Sequence, residues 1–313
     1  MLDIQNPKEA RKIIRENKYT DQTAGTAYKY VQGNLCILPS KYASDFESFC
    51  KKNPKPCPLI GLGTKGSPHL KDLGEIDIRT DIPQYRIWKK GELIDEPLDI
   101  KKYWNEDLVT FVLGCSMSFE LPLIEAGIQM QHIQNDTIVP MYQTSIDCET
   151  VGQFSGKMVV SMRPLTSKDA IKSIEISSRF PAVHGAPIHL GNPEEIGIKD
   201  IMKPEFGDPP RNLKSNEIPV FWACGVTPQS ILEKAKKQSN GEEKTDPTLN
   251  TKQAFELLLT EWHELSQELM KTLKNDHDSI VKQKSTKSVM ALGAFETHLN
   301  FAIQAKKAYD YQQ

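Results

Sequence analysis

The sequence predicts a mixed α/β fold of complex topology, with mixed β-sheets, followed by a C-terminal α-helical hairpin. Three observations carry this expectation. Short β-prone apolar runs interleave with capped amphipathic helix patterns over residues 1–236. Irregular Gly/Pro stretches break them too often for a simple doubly wound sheet. Composition then shifts abruptly to a polar segment and a tail with three-and-four apolar spacing. The expected organisation is an α/β domain over 1–236, a polar linker over 237–250 and a helical hairpin or coiled coil over 251–313.

The elements follow in order. Asn6-Pro-Lys-Glu9 opens a helix: Asn caps it, Pro takes the first helical position and Glu sits three residues after the cap. Leu35-Cys-Ile-Leu38 reads as a strand, and Ser40 is the expected cap of a helix burying Ala43, Phe46, Phe49 and Cys50. Asn53-Pro-Lys-Pro-Cys-Pro58 cannot continue a helix. Strands are expected at 59–60, 76–79, 85–88, 108–113, 137–142, 157–162 and 218–223, and helices near 119–126, over 168–177 and after Thr227. In the tail, Phe255, Leu258, Trp262, Leu265, Leu269 and Leu273 form one apolar seam, and Leu292, Phe295, Leu299 and Ala302 another. Such seams mean packing or self-association through the tail, not catalysis.

One pattern occurs twice. Asp107-Leu-Val-Thr-Phe-Val-Leu-Gly-Cys-Ser-Met-Ser-Phe-Glu120 and Ile218-Pro-Val-Phe-Trp-Ala-Cys-Gly-Val-Thr-Pro-Gln229 are each an apolar run that stops at a Gly/Cys pair and enters a helix through Ser or Thr. Small residues permit the tight turn, and a hydroxyl is a good N-cap. Unpaired N–H groups at such a start attract carboxylate or phosphate. The pattern singles out Ser116 and Ser118 at the first turn, and Gly225 and Thr227 at the second, as substrate-binding positions. Ordinary strand-to-helix turns would look the same.

Composition narrows the function classes. A net charge of −2 argues against a general nucleic-acid binder, and no apolar run approaches membrane-spanning length. No secretory or transit signal opens the chain, so a cytoplasmic protein is expected. The six cysteines are scattered without a Cys-x-x-Cys pair, which disfavours both a disulfide scaffold and a structural zinc site. No cofactor and no metal are expected.

A further set of stretches runs in one order along about residues 10–230: Tyr30-Val-Gln-Gly-Asn-Leu35, Asn53-Pro-Lys-Pro-Cys-Pro58, Asp77-Ile-Arg-Thr-Asp81, Gly114-Cys-Ser-Met-Ser-Phe-Glu120, Val139-Pro-Met-Tyr142, Val160-Ser-Met-Arg-Pro164, Ser178-Arg-Phe-Pro181, His184-Gly-Ala-Pro-Ile-His189 and Val220-Phe-Trp-Ala-Cys-Gly-Val-Thr-Pro-Gln229. This ordered set resembles the D-glutamate cyclase family, whose bacterial members are named putative hydro-lyases. Two departures stand out. The Thr-His-Ala-Pro-Gly sequence with which the family usually closes is missing, the tail standing in its place. Gln131-His132 also stands where relatives tend to carry Arg-His.

The resemblance implies a cofactor-independent lyase that converts D-glutamate to 5-oxo-D-proline and water, or acts on a related small amino dicarboxylate. Such a reaction needs a neutral amine held near the γ-carboxyl, donors for the developing oxyanion, and an acid and a base. Glu120, in the first turn after Gly114-Cys115-Ser116, is the first acid/base candidate, although Glu is favoured there for capping and dipole reasons too. His184 and His189 share a Gly/Pro loop. His184, followed by Gly185, is the preferred catalytic histidine and His189 a substrate contact. Arg163 and Arg179 are candidate carboxylate clamps. Cys115 is a candidate nucleophile at a helix start. Two alternatives remain at this level: a non-catalytic binding or assembly protein that self-associates through its tail, and a cysteine-dependent small-amide hydrolase.

Overall fold

The computed structural model describes residues 4–21, 23, 26–27, 30–70, 73–89, 92–238, 248–251 and 257–258. All of these belong to a compact unit that runs to Thr260. Both apolar seams of the expected hairpin lie almost wholly outside the described residues, as do His263, His277 and His298.

Helix α1, Pro7–Arg15, starts as its sequence dictates: the Asn6 side chain accepts from the Lys8 N–H at 2.9 Å and the Glu9 N–H at 3.4 Å. Strand β1, Gln32–Pro39, is buried along its whole length. Helix α2, Ala43–Lys52, buries Phe46, Phe49 and Cys50 as its spacing requires. Ser40 does not cap it. Residues Ser40–Tyr42 form a 3-10 turn, and the Ser40 hydroxyl donates to Asp107 Oδ1 at 2.6 Å instead. Strands β2 (Leu59–Leu62), β3 (Tyr85–Lys89), β4 (Glu92–Asp95) and β5 (Leu108–Gly114) follow. The expected strand at 76–79 is a turn, because Asp77 is bound by Arg79 through both carboxylate oxygens and by its own backbone to Asp81.

Short helices α3 (Glu120–Glu125) and α4 (Gln131–Gln134) lead to β6 (Met141–Asp147) and β7 (Lys157–Thr166). Helix α5, Ser167–Ser177, is capped by Thr166, whose hydroxyl accepts from the Asp169 N–H at 3.2 Å. Strands β8 (His189–Leu190) and β9 (Glu217–Ala223) and helix α6 (Val226–Gln238) complete this part. Two short strands, β10 (Thr248–Thr251) and β11 (Leu257–Leu258), come last.

The larger sheet has the order β2-β5-β1-β10-β3-β4, with β11 also paired to β1, and the smaller has the order β6-β7-β9-β8. Mixed sheets were expected, yet every registered strand pairing among the described residues is antiparallel. Burial on both faces, as in β1 and β5, produces the same continuous apolar runs that a parallel sheet would show. Strand β10 lies at the end of the stretch read as a polar linker. Its backbone bridges β1 and β3, with Cys36 opposite Asn250 and Thr248 opposite Trp88.

Phe46, Phe49, Phe111 and Phe154 centre the main core, with edge-to-face pairs at 4.9 Å (Phe46–Phe111) and 5.2 Å (Phe46–Phe154). The two repeated strand-to-helix turns lie in adjoining parts of the core: Ile138 packs against the Cys115–Met117 pair and against the cluster of Val139, Met141, Val159, Cys224 and Val226. Strand β1 connects them as well. Asn34 pairs with Leu113 of β5, and a Cβ built on Gly225 would lie 2.5 Å from the Asn34 amide nitrogen.

The end of β5 is tighter still, for a Cβ on Gly114 would lie 2.1 Å from the Ala182 carbonyl oxygen. Gly114→Ala is therefore expected to destabilise by about 2–3 kcal/mol through overpacking. Gly127→Ala, whose added methyl meets nothing within 4 Å but whose φ is +83°, should lose only about 1–2 kcal/mol. Urea unfolding of both variants checks the contrast, and equal losses would contradict the close approach at Gly114.

Candidate active site

The turn after β5 spends its hydroxyls on neighbours rather than on capping. Cys115 is extended and donates its N–H to the Gln32 carbonyl at 3.0 Å. Residues Ser116–Phe119 form a 3-10 turn without a side-chain cap. The Ser118 hydroxyl accepts from the Gln32 N–H at 2.9 Å and donates to the Gln32 carbonyl at 3.3 Å, which ties the turn to β1. The Ser116 hydroxyl accepts from Arg163 Nη2 at 3.2 Å.

Arg163 is the centre of what these elements assemble. It projects from β7 and is 1% exposed, as is Glu120. Arg163 Nε donates to Glu120 Oε1 at 3.0 Å, and Nη2 donates to the same oxygen. Nη1 donates to the Ser161 hydroxyl at 3.0 Å. The guanidinium carbon lies 5.6 Å from the Phe119 ring centroid and 5.4 Å from that of Trp222, so aromatic faces complete its desolvated shell. These rings come from just after the first repeated turn and just before the second. Trp222 is fixed in turn by its indole N–H, which donates to the Ser177 hydroxyl at 3.1 Å.

His132, buried in α4, completes the group: its Nε2 is 3.1 Å from Glu120 Oε1 and 3.3 Å from Oε2. Burial alone would raise the Glu120 pKa. The facing charges of His132 and Arg163, with their hydrogen bonds, outweigh it and hold the carboxyl at about 2. Glu120 is thus ionised at neutral pH. It can orient His132 and balance Arg163, but it has no proton to donate. A carboxylate only accepts, so His132 Nε2 carries a proton. Local sequence contains no sign of this role for His132, since a short helix of mixed polarity does not reveal which residue turns inward.

His184 enters from the loop that follows Arg179-Phe-Pro181. It takes the left-handed conformation at φ +84°, and Gly185 follows at φ +65°. Residues Pro181–Val183 form a 3-10 turn pressed onto Gly114. His184 Nδ1 lies 2.8 Å from the Lys55 carbonyl oxygen, and Nε2 is buried without a hydrogen-bond partner. Burial pushes the imidazole pKa down to about 4, helped by the charges of Arg163 and Lys55 and opposed by the Lys55 and Gly114 backbone.

The other expected site residues lie elsewhere or serve the scaffold. Thr227 accepts from the Val159 N–H at 2.9 Å and donates to the Val159 carbonyl at 3.1 Å, fastening α6 to β7. Gly225 is the close-approach point for Asn34. Arg179 forms an exposed pair with Glu175 one helical turn away. His189 Nε2 lies 2.7 Å from the Asn192 carbonyl, with the ring 5.8 Å from Phe221. Cys115 is buried against Met117 and Ile138, and Cys224 Sγ lies 3.5 Å from Met141 Sδ. Among the described residues no cluster of His, Cys, Asp or Glu could hold a metal ion, and no helix is long and apolar enough to cross a membrane.

The profile of the D-glutamate cyclase family matches residues 109–242, the stretch that holds Ser116, Glu120, His132, Ser161, Arg163 and His184. A protein named putative hydro-lyase from Pelagibacter ubique (strain HTCC1062) is 82% identical over 236 residues, covering 75% of this chain and 90% of that one. The chain belongs to the D-glutamate cyclase family. Similar proteins with the same name occur in Bradyrhizobium diazoefficiens, 55% identical over 231 residues (74% of this chain, 85% of the relative). Another, in Azorhizobium caulinodans, is 53% identical over 236 residues (75% and 86%).

Two predictions follow from this family member's buried charges. Arg163→Met leaves the buried Glu120 carboxylate with His132 but without its guanidinium partner and should destabilise by about 3–5 kcal/mol, whereas Glu120→Leu combined with Arg163→Met should recover part of that loss. Denaturant midpoints decide it, and a single variant as stable as the parent would refute the anchoring role.

Acid stability should fall in two windows. The unfolded imidazole of His184 takes a proton near 6.5 but the folded one only near 4, so stability is lost as pH falls between those values. Glu120, depressed from 4.5 to about 2, adds a second loss as pH falls through that lower range. His184→Asn should flatten the upper window alone in pH-dependent urea titrations.

Proposed function

We propose that the protein is a hydro-lyase acting on a small amino dicarboxylate, with D-glutamate to 5-oxo-D-proline and water as the reaction to test first. The observation that carries this reading is the buried Arg163–Glu120–His132 group with its two serine hydroxyls, set inside the stretch that matches the D-glutamate cyclase family.

The chemistry asks for a residue set of this kind. In the cyclisation the amine nitrogen bonds to the γ-carbon, a carbon–oxygen bond breaks, and two of the ammonium's three protons leave with that oxygen as water. Electrons balance without a redox partner. Charge accumulates on the γ-carboxyl oxygens as the nitrogen attacks, and preorganised donors in a site of low dielectric stabilise it most. Arg163 and the hydroxyls of Ser116 and Ser161 are such donors, already desolvated. His132, oriented by the ionised Glu120, is the group suited to give a proton to the leaving oxygen, an orientation role for the carboxylate that frees it from proton transfer.

Proton NMR of the purified protein with D-glutamate, L-glutamate and 5-oxo-D-proline, each alone, tests the reading. Stereospecific interconversion of D-glutamate and 5-oxo-D-proline is the expected result. In that case His132→Ala should lower turnover by roughly 100-fold or more, the usual reach of an acid/base group. A folded protein that turns over none of these compounds would overturn the proposed substrate.

A further inference from the structure

Two neighbouring groups are left chemically incomplete by the fold. The first is His184. A carbonyl oxygen only accepts, so the 2.8 Å contact to the Lys55 carbonyl places a proton on Nδ1. In the neutral ring Nε2 is then a lone pair, and it is buried with no donor to receive. A buried polar atom left unsatisfied is destabilising, and the left-handed backbone at φ +84° adds strain. The second is Lys55 itself. Its ammonium is half-buried, and no carboxylate among the described residues pairs with it. Burial, with no opposing charge, pulls its pKa down.

The Lys55 charge acts on the His184 ring, so an acceptor without a donor and a cation without an anion share one neighbourhood, and a ligand that carries both an N–H and a carboxylate would satisfy them. An α-amino-carboxylate does: its nitrogen offers N–H groups and its carboxylate accepts from an ammonium. We infer that Lys55 and His184 form the subsite for the α-amino-carboxylate head of the ligand, His184 Nε2 receiving the amino group and Lys55 Nζ the α-carboxylate. The proline-bounded segment Asn53-Pro-Lys-Pro-Cys-Pro58 serves this end. Its Lys55 carbonyl sets the His184 tautomer, while its Pro58 carbonyl accepts from the Gly114 N–H at 2.9 Å.

The inference deepens the proposed function and rests on it for the identity of the substrate. In the cyclisation, His184 Nε2 takes one proton from the ammonium before attack, leaving a neutral amine nucleophile. That proton, and the second one lost from the nitrogen after attack, both leave on the departing oxygen as water, so no net proton is released. An arriving carboxylate raises the His184 pKa towards the range in which this transfer is effective.

Binding, measured apart from turnover, tests the subsite. D-Glutamate and glutarate, which lacks only the amine, are titrated calorimetrically into the full-length protein and into two variants. His184→Asn keeps a donor for the Lys55 carbonyl and tolerates the left-handed backbone. Lys55→Met keeps the backbone carbonyl and the apolar stem. The wild-type protein should bind D-glutamate at least 10-fold more tightly than glutarate. His184→Asn should bring that ratio close to one, and Lys55→Met should weaken D-glutamate binding by about 10-fold or more.

A ratio near one in the wild type, or one unchanged in His184→Asn, overturns the inference. So does unaltered D-glutamate affinity in Lys55→Met. Wild-type preference for D-glutamate without turnover would leave the subsite standing and remove the lyase reading. The ¹⁵N resonance of His184 Nε2 gives an independent readout: it should move from its lone-pair position on adding D-glutamate but not glutarate. A resonance that neither compound moves counts against the subsite.

Discussion

Arg163 brings a full positive charge into a place almost without solvent, and its surroundings are arranged to make that tolerable. An isolated buried ion is prohibitively costly, so such a group persists only when it is paired and its donors are satisfied. Arg163 meets the condition with partners from three separate stretches of chain: Ser116, Phe119 and Glu120 after β5, Ser161 from its own strand, and Trp222 of β9. Two strands of different sheets therefore share one electrostatic requirement. Strand β7 carries the cation, and the turn following β5 carries the anion. The repeated strand-to-helix turns matter less as helix ends than as holders of Phe119 and Trp222, whose rings lie 5.8 Å apart and pack together against that cation.

The same crowding explains the glycine at the end of β5. Any side chain at Gly114 would strike the Ala182 carbonyl, so the loop bearing His184 can press directly onto the strand. That approach buries the imidazole and brings it within the field of Arg163. The ion pair and the histidine are thus coupled through backbone packing. One consequence is a division of labour among titratable groups. Glu120 is held ionised and His184 neutral over the physiological range, the two environments pushing in opposite chemical directions.

Local chemistry made much of this legible in sequence. The Asn6 cap with Pro7, the buried faces of α2 and the apolar run of β5 all follow from rules that act within a few residues, and the structure has them. Glu120, Ser116, Arg163 and His184 could be chosen because they border small residues or end strands. What the sequence could not display are relations set by distant contacts. Ser40 prefers Asp107, 67 residues away, to the helix it precedes. The 76–79 run is recruited by an Asp–Arg turn. Strand β10 sits between β1 and β3 although its surroundings read as linker. The positions of His132 and Lys55 carry no local signal of a site role for the same reason: one is an ordinary residue of a four-residue helix, the other a lysine between prolines.

That His184 feels the charges of both Lys55 and Arg163 also bears on the proposed specificity. A site that only needed to hold a dicarboxylate could use cations at both ends and would not need a neutral histidine. A positive His184 beside Lys55 and Arg163 would repel the ammonium that distinguishes an amino dicarboxylate from its deaminated analogue. Burial and the neighbouring charges keep the ring neutral and leave Nε2 able to accept. Under the proposed function, recognition and later deprotonation of the amine would account for a buried imidazole with an unsatisfied nitrogen. A phenyl ring would fill similar space without an unsatisfied nitrogen, but it could neither bond the Lys55 carbonyl nor receive an N–H. On this argument the unsatisfied nitrogen of His184 is what lets the proposed subsite discriminate at the amino group.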